Sequence, residues 1–187
     1  MTGIFEKAVQ FAFNAHRGQK RKDGSAFILH PLEVAVIVGT MTRDEEVLAA
    51  AVLHDTVEDT FVTAEEILAQ FGERVAEFVR HETENKRREI DPRDTWRIRK
   101  EESLAVLKES NRETKMLWVA DKLSNLRALA RSYEAVGASA FSCFNERDPK
   151  QQRWYFATVL EYCKELSDYP AYAELESCFR KVFAAYE

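Results

Sequence analysis

The chain has 187 residues and a mass of 21.6 kDa, 45% of it hydrophobic, which is enough for one domain with a real core. Its net charge of −5 and pI near 5.5 argue against a long nucleic-acid polymer as partner, since that needs a basic face, but leave open a small anion held by a metal and a few local cations. Six Gly and four Pro are too few turn signals for many short strands, so the expected fold class is all-α.

In chain order, Ile4, Phe5, Ala8, Val9, Phe11, Ala12 and Ala15 recur at helical spacing. Glu6 and Lys7 interrupt this segment before any apolar run develops, so it reads as an amphipathic helix and not a signal peptide. It should stop near Gly18. Residues 18–29 (GQKRKDGSAFIL) combine Gly, charge and a Lys-Asp-Gly turn signal and read as a loop. A second helix is expected from about Pro31 to about Met41. Thr42 or Asp44 can cap a third, EEVLAAAVLH, whose all-round hydrophobicity marks a central buried helix.

Thr63 and Glu66 have the spacing of a capping box for TAEEILAQF, which Gly72 ends. ERVAEFVRH is the next helix. Residues 82–102 are intensely charged and read as an exposed arm or lid, helical in part after Pro92 and Asp94. Apolar spacing returns at Leu104, Val106 and Leu107, and a buried helix spans roughly 114–133. After Gly137 come an irregular stretch, a helix at 149–166 and a last helix at 171–186 after Pro170. No stretch approaches the ~18 apolar residues of a membrane span. Cys143, Cys163 and Cys178 lack CxxC spacing and are expected to be buried or free thiols in a reducing compartment. Residues 1–187 are expected to form one cytoplasmic domain.

The chemistry concentrates where the apolar helix ends. His54-Asp55-Thr56-Val57-Glu58-Asp59 follows directly on AAAVL, and such groups are costly to bury without a partner. A divalent cation is the simplest one. His54 and Asp55 diverge by about 100° on a regular helix, so both reach one ion only at a helix end. Glu58 and Asp59 stand four residues beyond each, close enough to activate a water. Asp121 and Asn125 share one face of a second apolar helix, and His30 sits beside Ile28 and Leu29. Two His and two Asp make a mixed nitrogen and oxygen shell suited to Mn2+, Fe2+, Co2+ or Zn2+. An octahedral ion held by four side chains keeps two positions for water and substrate.

His30, His54-Asp55 and Asp121, in that order, resemble the H…HD…D pattern of the HD-domain phosphohydrolases. The surrounding RKDG followed by HP, HDTVEDT (His54 to Thr60) and DKLSNLR (Asp121 to Arg127) are similar to the (p)ppGpp hydrolases. These comprise the hydrolase domains of Rel/SpoT-type enzymes and the small alarmone hydrolases. The likeness covers most of residues 1–166. It implies an all-α HD-domain helical bundle of about eight to ten helices and a manganese ion on His30, His54, Asp55 and Asp121. It also implies removal of the 3′-pyrophosphate from the guanosine alarmones of the stringent response, ppGpp and pppGpp.

The same resemblance implies roles residue by residue. Glu58 and Asp59 activate and orient the attacking water, and Arg21 and Lys22 contact the nucleotide. Asn125 lies on the substrate side, and Tyr155 lines the base pocket. Lys86 is a candidate for a terminal phosphate, although with Arg87 and Arg88 it also reads as a solvated basic face. His16 and His81 lack ligand spacing and read as non-ligands.

Ala26-Phe27 stands where the family often has Pro-Tyr, Ala128 replaces a Thr common in the larger enzymes, and FNERDPKQQRWYF resembles a bacterial HD subgroup. Two alternatives therefore stand beside alarmone hydrolysis: an HD nucleotidase or phosphatase for another nucleotide, and a non-catalytic nucleotide-binding HD protein. With no synthetase-type segment in the sequence, hydrolysis alone is expected. The expected partner is a small anionic nucleotide, with no membrane and with a homo-oligomer left open.

Overall fold

The computed structural model describes residues 3–186. Among them are ten α-helices: α1 (Ile4–Ala15), α2 (Leu29–Val38), α3 (Glu45–Leu53), α4 (Thr56–Asp59), α5 (Ala64–Phe71), α6 (Glu73–Glu82), α7 (Pro92–Glu109), α8 (Arg112–Val136), α9 (Pro149–Tyr162) and α10 (Pro170–Phe183). Short 3-10 segments follow α8, α9 and α10. Among the described residues no strand forms, and extended pairing is limited to a bridge between Lys20 and Ala26. The helices gather into two compact units, the first ending at Asn85 and the second beginning at Lys86.

In the first unit α3 is central, as its composition requires. Val47 and every residue from Ala49 to Leu53 are fully buried, and α1, α2 and α6 pack against it. Burial of this run supplies most of what a helix of nine residues lacks on its own. Its start is fixed by Asp44, not Thr42. The Asp44 carboxylate accepts from the Glu46 N–H at 2.9 Å, and Arg74 of α6 reaches both Asp44 and Glu46 at 2.7 Å. Partial burial works against the charged form of Asp44. The Arg74 guanidinium and the Glu46 N–H outweigh it and hold the carboxyl below the usual range.

α5 opens with the Thr63–Glu66 capping box. It meets α6 at Gly72, whose φ of +85° is a conformation that L side chains rarely adopt. α2 starts at Leu29, earlier than Pro31, and ends at Val38, short of Met41. Proline is tolerated within the first turn, because its missing N–H falls among groups that have no intrahelical acceptor.

The second unit is built on α8, against which α7, α9 and α10 pack. Asn111 caps α8 by accepting from the Thr114 N–H at 2.9 Å, so the helix begins two residues before the expected 114. The segment 82–102 is not exposed throughout: α7 starts at Pro92, and within it Trp96 is 5% exposed and Arg99 8%. Buried Trp96, Arg99, Leu104 and Leu107 make a stripe with one or two apolar contacts per turn, which the intervening charges hide. Trp96 meets Trp154 and Tyr155 edge-on. All three Trp and all six Tyr of the chain lie in this unit.

α9 ends at Tyr162, and residues up to Leu166 form a 3-10 turn; α10 likewise ends at Phe183. None of the three cysteines forms a disulfide among the described residues; Cys163 is buried and Cys143 exposed. No helix among the described residues is long and apolar enough to cross a membrane.

Candidate metal centre

The first unit brings three of the expected ligands together. His54 closes α3, and Asp55, flattened to a φ of −90° and ψ of −6°, sits in the turn before α4 begins. That break lets two adjacent side chains converge. His54 Nε2 lies 3.2 Å from Asp55 Oδ2, and His30 Nε2, from the first turn of α2, lies 3.5 Å from the same oxygen. The two imidazoles stand 5.2 Å apart at 72°, and each is 4% exposed.

The tautomer of His54 follows from its surroundings. Its Nδ1 is 2.8 Å from the Ala51 carbonyl oxygen, which only accepts, so Nδ1 carries the proton. In the neutral ring Nε2 is then a lone pair facing a carboxylate oxygen. Two acceptors at that distance call for a positive charge between them, and a neutral imidazole oriented through its other nitrogen is the usual form of a metal ligand. The donor set fits a divalent cation held by nitrogen and oxygen.

The acidic pair occupies the four-residue α4, and each member is tied to another element of the unit. A Glu58 carboxylate oxygen accepts from the Glu84 N–H, just after α6, at 2.9 Å. The Asp59 main-chain carbonyl accepts from Gln19 Nε2 at 2.8 Å. Thr56, wholly buried between them and the histidine, donates to the Leu53 carbonyl at 2.6 Å.

The basic loop is ordered by its own turn. Asp23 accepts from the Ser25 N–H and hydroxyl, at 2.9 and 2.6 Å. This leaves Arg21 half-buried and Lys22 exposed. Phe27 stacks on His16, with centroids 4.6 Å apart, and meets His30 edge-on at 6.2 Å.

In the second unit Asp121 is 5% exposed on α8. Its carboxylate accepts from Asn125 Nδ2 at 2.7 Å and pairs with Lys122 Nζ. Lys122 also lies over the rings of Trp118, at 4.4 Å, and Tyr155, at 5.8 Å. Tyr155 is buried, with Lys100 Nζ 4.7 Å from its ring centre. Lys86 is half-buried. Lys100 and Lys122 were not singled out by the sequence reading. Lys122 follows directly on the buried Asp121, and a cation beside a carboxylate in an apolar helix was the signal to use.

Comparison with known proteins places these residues in context. The HD domain family model matches residues 8–145. A guanosine-3′,5′-bis(diphosphate) 3′-pyrophosphohydrolase of Aquifex aeolicus is 37% identical over 124 residues, which are 66% of this chain and 17% of that protein. Across such curated relatives the chain spans 9 to 22% of their length. Among solved structures, one described as a metazoan ortholog of SpoT that hydrolyses ppGpp superposes with a TM-score of 0.72 at 27% identity, covering 99% of this chain and 96% of that one. A Listeria monocytogenes protein also gives 0.72, at 34% identity over 83% of this chain and 99% of its own.

Proposed function

The chain belongs to the HD-domain family, and from that premise we propose that residues 1–187 act as a single metal-dependent hydrolase domain that removes the 3′-pyrophosphate of ppGpp and pppGpp. The observation that carries the metal chemistry is the meeting of His30, His54 and Asp55 around one carboxylate oxygen, with the His54 proton held on Nδ1. Alarmone as substrate is supported by the Aquifex and metazoan relatives and by the RKDG, HDTVEDT and DKLSNLR motifs.

His30, His54, Asp55 and Asp121 are the ligands in this reading, and Mn2+ is the ion, with Fe2+, Co2+ and Zn2+ as alternatives. When bound, the ion supplies Lewis-acid polarisation of the phosphoryl group and of water. Glu58 and Asp59 take the proton of the attacking water, Glu58 being held ready by the Glu84 N–H. Asn125 steadies Asp121 and faces the substrate. Arg21, Lys22 and Lys86 neutralise the nucleotide's phosphates, and Tyr155, its ring covered by Lys100 and Lys122, lines the base pocket. The setting is the cytoplasm and the stringent response.

One observation favours a second reading, an HD nucleotidase for another nucleotide. Phe27 stands where the alarmone hydrolases often carry Tyr, and its ring packs on His16 with no hydroxyl to offer a substrate. A panel of nucleotides with Mn2+, scored for pyrophosphate against phosphate release, separates the readings. The expected result is GDP and pyrophosphate from ppGpp. Phosphate from a nucleoside monophosphate, with ppGpp untouched, selects the nucleotidase. Nucleotide binding without turnover selects a non-catalytic role.

A further inference from the structure

A line of polar groups outside the ligand set has a direction that can be worked out. Gln19 Nε2 lies 2.8 Å from the Asp59 carbonyl oxygen, and Gln19 Oε1 lies 2.8 Å from His16 Nδ1. A main-chain carbonyl only accepts, so Gln19 turns its nitrogen toward Asp59 and its oxygen toward His16. The oxygen only accepts as well, so His16 Nδ1 carries the proton. The line therefore runs one way, from the His16 N–H to the Gln19 oxygen and from the Gln19 N–H to the Asp59 oxygen.

Both donors are themselves fixed. His16 ends α1, is 3% exposed, and lies nearly parallel to the Phe27 ring at 24°. The Gln19 main chain donates to the His16 carbonyl and accepts from the Phe27 N–H. The acceptor needs such help. α4 is one turn long, too short to hold its own shape by helix propagation, and the carbonyl at its last residue has no acceptor role inside the helix.

We propose that His16 and Gln19 are positioning residues that set the main chain at Asp59 and so aim the Glu58–Asp59 pair. The proposal rests on the reading of that pair as the groups that handle the proton. His16 and Gln19 touch neither substrate nor metal in this scheme.

The decisive variant is Gln19→Glu, which keeps size and shape and still accepts from His16, but sets a carboxylate oxygen against the Asp59 carbonyl. It should lower kcat by roughly tenfold or more, since a misplacement of about 1 Å can cost ~100-fold, with KM and metal content unchanged. His16→Asn puts an amide N–H where Nδ1 was and should restore most of the turnover that His16→Leu loses. This rescue is the result that mere packing of a ring does not produce, and it decides the matter should Gln19→Glu fold poorly. Turnover of Gln19→Glu within about twofold of wild type, or equal losses in His16→Asn and His16→Leu, overturns the proposal; so does a loss that appears in KM or in metal content instead of kcat. Asp59→Asn is the control. If it turns over like wild type, the reading of the acidic pair has failed; if it is impaired while Gln19→Glu is not, the positioning proposal alone has failed.

Discussion

Asp55 shows how one residue decides the character of the site. It stands in the turn between α3 and α4, and this break lets its carboxylate meet the adjacent His54 imidazole, which a continuous helix would hold about 100° away, as well as His30 of α2. These groups were legible because the sequence puts them against apolar neighbours, where bare polar atoms are unfavourable. Gln19 was not, since its bond to Asp59 joins positions 40 apart and glutamine carries no spacing signature. Two outcomes are expected at this scale. Glu58→Gln with Asp59→Asn should retain metal and fold while losing ~10²–10⁴ in kcat, measured by steady-state kinetics on metal-loaded protein. Asp121→Ala should purify without the roughly one equivalent of transition metal that wild type carries, as read by elemental analysis; equal metal in both proteins removes Asp121 from the ligand set.

Among the helices, those with a strong apolar period or a capping sequence were readable in advance. α3 and α5 show this, the first by its run of Ala, Val and Leu, the second by Thr63 and Glu66. α7 was the harder case, because Trp96 and Arg99 bury a face amid charges, the arginine with its guanidinium donating to the Thr95 hydroxyl and the Pro92 carbonyl. The cap of α3 carries a pH dependence whose sign is fixed. Asp44 is charged more readily in the folded protein than in the unfolded chain. Its contribution is therefore fully present above the unfolded carboxyl range, near ~3.9, and fades as pH falls through the lower folded value. Asp44→Ala should cost about 1 kcal/mol at neutral pH, the half-exposed pair with Arg74 adding little more. Urea unfolding of wild type and variant at pH 7 and at pH 3 should show the gap narrowing in acid. A gap that widens there contradicts the assignment.

At the scale of the whole molecule, the HD-domain match from residue 8 to residue 145 runs through both compact units. Neither that division nor the exact bounds of the later helices was legible, because contacts remote in sequence leave no local period. Binding of the ion to the folded form alone implies linkage: free metal at a hundred times its Kd adds about 2.7 kcal/mol to folding. The thermal midpoint should accordingly rise with Mn2+ and fall with a chelator, and Asp121→Ala should respond to neither. The placement of the aromatic residues has an optical consequence. Residues up to Asn85 contain neither Trp nor Tyr, so absorbance in the Trp and Tyr band and fluorescence excited at its red edge come from the second unit. Far-ultraviolet circular dichroism weighs helices in both. Midpoints that coincide between the two signals mark one cooperative transition, whereas an emission change that lags or leads the dichroism resolves the melting of one unit from the other without any label.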